Sequence, residues 1–251
     1  MFFLLFIAAV AGGALNSVAG GGSFICLPAL MLAGIPPVAA NATTTMAMWP
    51  GSISSAWAYR RDIGAFDRPL MLLSAVSLAG GLLGGYLLVR TSDTSFLRLL
   101  PWLMLVAAIT FTFAGRLASR FRGEDDGRPV RHRPLPLWAL ALQLVIATYG
   151  GYFGGGIGIM MLAAFSLAGL TDIHEMNGLK AVLAVFINGV ALVEFVAHGV
   201  LAWGPGTVMV AGSILGGYFG ASFARRLPQA SVRTFVIVVG WAMTTYFFVG
   251  R

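Results

Sequence analysis

Apolar runs about one membrane thickness long follow one another along the chain, separated by short polar joints. A hydrocarbon core of about 30 Å needs about 20 apolar residues in helical form. On that measure the pattern predicts helices over 2–18, 38–59, 69–89, 97–115, 135–153, 177–198, 205–224 and 232–249. Two further apolar pieces, 24–35 and 157–170, are too short to span comfortably, and each follows a run of three glycines. The one long polar stretch, "GRLASRFRGEDDGRPVRHRPLP" from Gly115 to Pro136, combines charge, proline and glycine as a linker does. It sets the expected division: a first membrane repeat over 1–115, a charged cytoplasmic linker over 116–134 and a second membrane repeat over 135–251.

Composition fits only a polytopic membrane protein. Hydrophobic residues make up 58% and charged residues 10% of the 251 positions. A soluble domain carries about 25% charged residues. The first segment, "MFFLLFIAAVAGGAL", lacks a basic start and precedes many more spans, so it is read as a retained helix and not a signal peptide. The single cysteine, Cys26, excludes a disulfide framework or zinc site within the chain. A net charge of +7 invites a nucleic-acid reading. The arginines, however, are confined to the short joints, which the positive-inside rule explains, so the expected surroundings are a lipid bilayer and no nucleic acid.

The halves repeat one another. Gly20, Gly21 and Gly22 match Gly154, Gly155 and Gly156; "LAG" at 32–34 matches 167–169; Asn41 matches Asn177; "LGGY" at 83–86 matches 215–218. Four landmarks in one order argue for duplication. If each short piece forms a hairpin with the helix before it, loops 59–69, 115–134 and 224–233 share a side with twelve arginines, against three elsewhere. If the short pieces merely re-enter between full spans, the division is ten against five. The stronger bias favours the hairpins. The expected fold is therefore all-α, with two inverted repeats, each a glycine-broken helical hairpin plus three transmembrane helices, and with both termini periplasmic.

Glycines four apart, such as Gly80 with Gly84 and Gly212 with Gly216, have the small-xxx-small spacing of close helix packing. The triplets differ, because three adjacent glycines destabilise helix and mark a break that frees backbone N–H groups. Such backbone is tolerated inside a membrane only against protein or a water-filled cavity, and beside a helix N-terminus it attracts anions. On a helical wheel Asn41, Thr44, Thr45, Ser52, Ser55 and Tyr59 fall within an arc of about 100°, with Pro50 and Gly51 expected to kink or open that helix. Asn177, Lys180, Asn188, Glu194 and His198 fall within about 120° on the matching helix. Polar groups are costly against lipid, so the stripes should face each other or a cavity. Interhelical hydrogen bonding is the competing account of the Asn and Thr residues. Lys180 either snorkels to the water side past "TDIHEMN", read as a loop, or contacts an anion. Glu194 and His198 form either a proton-coupling pair or an interfacial ion pair. "HEMNG" at 174–178 lacks the second histidine of a zinc protease helix. No Ser/His/Asp set, nucleotide motif or cofactor motif is evident, so the chain is read as no enzyme and as needing no cofactor.

The segments "GALNSVAGGGSFICLPALMLAGIPPVAANATTTMAMWPGSISSAWAYRRDI" and "GGYFGGGIGIMMLAAFSLAGLTDIHEMNGLKAVLAVFINGVALVEFVAHGVLAW" resemble the first and second repeats of the TauE/SafE sulfite exporter family. The resemblance covers essentially the whole chain. It implies a bacterial inner-membrane permease for small sulfur-containing anions such as sulfite or organosulfonates. The expected anion site lies at the midplane, with Gly20, Gly21, Gly22, Ser23, Gly154, Gly155 and Gly156 as the cradle. Asn41, Thr44, Thr45, Asn177 and Asn188 would line it, with Lys180 as the candidate cation. An anion channel and a membrane subunit without transport activity are the rival readings, and the choice between monomer and homodimer stays open.

Overall fold

The computed structural model describes residues 1–63, 68–120, 136–170, 172–224 and 229–249. Among these the chain forms helices and no strand: α1 (Phe2–Ala19), α2 (Ser23–Leu32), α3 (Pro37–Ala58), α4 (Arg60–Ile63), α5 (Arg68–Arg90), α6 (Asp93–Arg120), α7 (Leu137–Tyr152), α8 (Ile157–Leu167), α9 (Ile173–Ala197), α10 (Trp203–Ala224) and α11 (Gln229–Val249). The segments Arg68–Arg90, Asp93–Phe113 and Ile173–Ala197 are each long and apolar enough to cross a membrane. Large apolar side chains such as Phe3, Leu32, Val145, Trp102 and Val238 point outward, as they do where the solvent is lipid. The chain is an all-helical, multi-pass membrane protein.

Both glycine breaks turn helical hairpins. α2 runs back along α1: the Cys26 thiol lies 3.7 Å from the Ala8 carbonyl oxygen. A Cβ on Gly12 would strike Cys26 Sγ and approach the Gly22 carbonyl oxygen. α8 returns along α7 in the same way, with Gln143 Nε2 3.7 Å from Met161 Sδ and Gly150 against the side chain of Ile157.

The remaining helices close around these hairpins through small-residue seams. Gly80 and Gly84 of α5 lie against Leu144, Ala147 and Thr148 of α7. Gly212 and Gly216 of α10 lie against Phe6, Ala9 and Val10 of α1. These are the packing roles that the spacing predicts, since a missing Cβ lets two backbones approach. α3 and α9 pack against each other in the middle, where the Trp49 indole N–H donates to the Val185 carbonyl at 3.1 Å and its ring lies over Gly189. α6 covers α8 and α11 covers α6 and α2, with Phe24 set edge-on to Phe111 at 5.9 Å.

Hydrogen bonds between elements gather one end of the bundle. The Val38 N–H donates to Asp93 Oδ1 at 2.9 Å, so a carboxylate from the start of α6 caps α3. The Ala202 N–H donates to Thr43 Oγ1 at 3.0 Å, and the Tyr152 hydroxyl to Thr91 Oγ1 at 3.2 Å. The joints within 89–98 and 198–205 thus meet at the same end as the start of α3.

Three expectations need correction. "TDIHEMN" is not a loop: α9 begins at Ile173, and the Asp172 carboxylate accepts from the His174 and Glu175 N–H groups at 2.7 and 3.3 Å. Charged residues in that first turn masked a helix start from a hydropathy reading, although an aspartate N-cap is a start signal. α6 continues to Arg120, into the segment assigned to the linker, whose residues 121–134 lie outside the described residues. α3 is continuous through Pro50 and Gly51, which do not open it.

Candidate functional site

The two hairpin tips leave backbone amides unpaired inside the protein. α1 ends on Gly20, whose φ of 75° is left-handed, a region open to glycine at little cost. Gly21 and Gly22 follow, both buried, and Gly22 caps α2. α7 ends at Tyr152, and the second tip runs Phe153, Gly154 (φ 78°), Gly155 and Gly156 (φ 82°) before α8 begins. Among the described residues the N–H groups of Gly21, Gly22, Gly154, Gly155 and Gly156 find no acceptor. Each tip also opens a helix, so the first amides of α2 and α8 point the same way as the positive ends of their dipoles.

The tips meet each other and the two polar helices. Gly20 lies against the backbone of Gly158, in the first turn of α8. The carbon stem of Lys180 packs on Gly158 from α9. Gly154 faces the Thr45 hydroxyl of α3, and the Asn41 amide donates from Nδ2 to the Tyr152 carbonyl oxygen at 2.8 Å. Gly20, Asn41, Thr45, Gly154 and Lys180 therefore belong to one connected region. Asn41 is 1% exposed, and its Oδ1 has no donor among the described residues.

The other candidates are placed differently. Thr44 donates to the Ala40 carbonyl at 2.9 Å and Thr45 to the Asn41 carbonyl at 3.3 Å, so both hydroxyls are spent one turn back along α3. Ser23 is buried in the first turn of α2. Asn177 does not mirror Asn41: its Nδ2 donates to the Ile173 carbonyl within α9, and its Oδ1 accepts from Lys180 Nζ at 2.8 Å. The lysine head thus points back toward the start of its own helix, as helical side chains do. Asn188 is buried on α9 at 8% exposure. Glu194 and His198 sit at the far end of α9, His198 Nδ1 3.4 Å from Glu194 Oε2 and 2.9 Å from the Glu194 carbonyl oxygen, away from the tips and partly exposed.

Sequence reasoning missed the Tyr152 carbonyl, Gly158 and Trp49, because each acts through a partner in the opposite half. It also missed Gln143, which is 1% exposed on α7 and donates to Ser77 Oγ at 2.8 Å. Its Oε1 and Ser74 Oγ have no partner among the described residues. Gln143 also lines a small apolar hollow with Leu73, Phe165 and Leu179. A glutamine in an otherwise apolar span was the available signal.

A family profile described as "Sulfite exporter TauE/SafE" matches residues 4–247. Curated relatives include a "Probable membrane transporter protein" of Haemophilus influenzae, 28% identical over 242 residues, covering 96% of this chain and 92% of the relative. "Probable membrane transporter protein YfcA" of Escherichia coli K12 is 30% identical over 245 residues, covering 96% and 87%. "Probable membrane transporter protein ORF9" of a Sinorhizobium species is 28% identical over 240 residues, covering 95% and 89%. No solved structure matches the chain. With the match running through both glycine-broken hairpins and every helix between them, the chain belongs to the TauE/SafE family and is a membrane transporter.

Proposed function

We propose that the protein is a secondary transporter of small sulfur-containing anions, such as sulfite or organosulfonates, held between the two hairpin tips. The observation that carries this is the set of unpartnered N–H groups at Gly21, Gly22, Gly154, Gly155 and Gly156, all buried but the half-buried Gly154, in tips that meet each other and Asn41, Thr45 and Lys180. Unsatisfied donors in low dielectric are costly unless a ligand or water accepts from them. Amide donors suit a carrier, since a site binding an anion too tightly cannot release it. The description of the matching family supplies the sulfur chemistry. With no ATP-binding motif in the sequence, the driving force in this reading is an ion gradient, the membrane potential or a separate subunit.

The two halves form inverted repeats in this reading, with termini on the periplasmic side of the inner membrane. Exchanged packing supports it: α1 with α10 and α7 with α5 are the same seam with the halves swapped, as are α2 with α11 and α8 with α6. After Cys26 is replaced, cysteines introduced near Gly123 and Gln229 should label from the cytoplasm and one near Gly204 from outside. The same side for Gly204 and Gln229 rules the inverted arrangement out.

Flux into proteoliposomes containing only this protein tests the transport itself. Saturable uptake of sulfite or a sulfonate under an imposed gradient is expected. Conduction without saturation makes it a channel, and absence of flux from folded protein under every gradient removes the transporter of sulfur anions.

A further inference from the structure

We propose that the transported anion carries its own hydrogen-bond donor, which Asn41 Oδ1 accepts. This rests on the transporter reading above and narrows its substrate to anions with an O–H close to the anionic oxygens.

The Tyr152 carbonyl can only accept, so the 2.8 Å bond from Asn41 Nδ2 fixes which way the amide points. A flipped amide would set oxygen against oxygen. Oδ1 is therefore directed away from Tyr152, and it is buried without a donor among the described residues. The nearby hydroxyl cannot supply one, because Thr45 Oγ1 already donates to the Asn41 backbone carbonyl at 3.3 Å. The surroundings are divided: free N–H groups at Gly154, Gly155 and Gly156 ask for acceptors, while Asn41 Oδ1 asks for a donor. A fully deprotonated oxyanion answers the first demand and places oxygen on oxygen at the second. An anion bearing a hydroxyl answers both. A protonated inorganic oxyanion (hydrogen sulfite) and a hydroxyalkanesulfonate share this chemistry.

The test measures binding of paired anions to the purified full chain in detergent by calorimetry. Isethionate and propanesulfonate have the same charge and similar size and differ by a hydroxyl in place of a methyl. Hydrogen sulfite and methanesulfinate, compared at mildly acidic pH, form the second pair, again differing by a hydroxyl in place of a methyl. The donor-bearing member of at least one pair should bind about tenfold more tightly, the order expected for satisfying a buried acceptor. Preference in the first pair names a hydroxyalkanesulfonate, and preference confined to the second names the protonated oxyanion. In Asn41→Leu the preference should fall to within about twofold, because its acceptor is gone. Equal binding within both pairs of the wild-type protein overturns the inference and leaves a water on Asn41, with the transporter reading intact. A preference that persists in a folded Asn41→Leu protein overturns it as well. Binding of none of the four anions removes the parent reading and the inference with it.

Discussion

At the first tip a single glycine, Gly20, takes a left-handed φ, and Gly22 is right-handed helical at φ −57°. At the second tip the residue aligned with Gly22, Gly156, has φ 82°. Gly22 is glycine for lack of room: a Cβ there would lie 2.5 Å from the Gly12 carbonyl oxygen and 2.8 Å from Met48 Sδ. Gly154 is glycine for its φ, with no atom closer than 3.5 Å to the place of a Cβ. One sequence motif thus meets two physical demands, close approach of two chains and a backbone conformation that a side chain resists. The polar helices differ in a parallel way. Asn41 reaches across to the other half, whereas Asn177 is satisfied inside its own helix and by Lys180.

The largest effect should come from Gly22→Ala. Its methyl meets backbone that cannot move without opening the α1–α2 hairpin, and overpacking of this kind costs about 1–3 kcal/mol or more. Thermal melting and size-exclusion in detergent should show destabilised or misassembled protein. Gly154→Ala should cost about 1–2 kcal/mol from the left-handed backbone alone, leaving a folded chain with an altered tip. Equal destabilisation by the two would erase the contrast between the tips.

Asn41→Leu should come next. It leaves the Tyr152 carbonyl without its donor at the tip, a loss of the order of 1–3 kcal/mol for a desolvated acceptor left unpaired, and transport in proteoliposomes should be lost while the protein still inserts and purifies. Asn177→Leu should keep most transport, since its amide bonds lie within α9. Equal loss in both variants would restore the symmetry that the sequence suggested.

Lys180→Met should weaken anion binding at least about fivefold, since one charge at close range is worth about 1 kcal/mol even in water. Unchanged affinity would assign the lysine to snorkelling. The smallest effect belongs to Glu194→Gln, because a partly exposed i,i+4 pair contributes about 0.3–0.5 kcal/mol. Loss of proton-coupled flux in that variant would instead make Glu194 and His198 a coupling pair.

Helix positions were legible because hydropathy is written residue by residue. The ranges 2–18, 38–59 and 205–224 match α1, α3 and α10 within two residues, and the short pieces after the glycines are α2 and α8. The misses fall where the end of a helix is polar, as at the last turn of α6, which runs on to Arg120. α6 opens on "DTS" and α9 on "IHEMN", so an apolar window starts four residues late at each. The candidate site was legible only as a set of residue types. That freed amides belong at the triplets followed from glycine's cost in helix, and the tips bear the breaks out.

What the sequence determined by itself, then, is local: apolar length, the breaks at Gly20–Gly22 and Gly154–Gly156, and the polar face of each central helix. Partnership was decided by the tertiary structure. Asn41 and Asn177 occupy matching positions in matching helices, yet one donates to a carbonyl 111 residues away and the other to a carbonyl four residues away. Which partner an amide finds depends on how far two helices slide and turn against each other. That register is set by small-residue seams such as Gly84 on Thr148 and Gly216 on Val10. A seam is a property of two surfaces together, and neither strand of sequence specifies it alone.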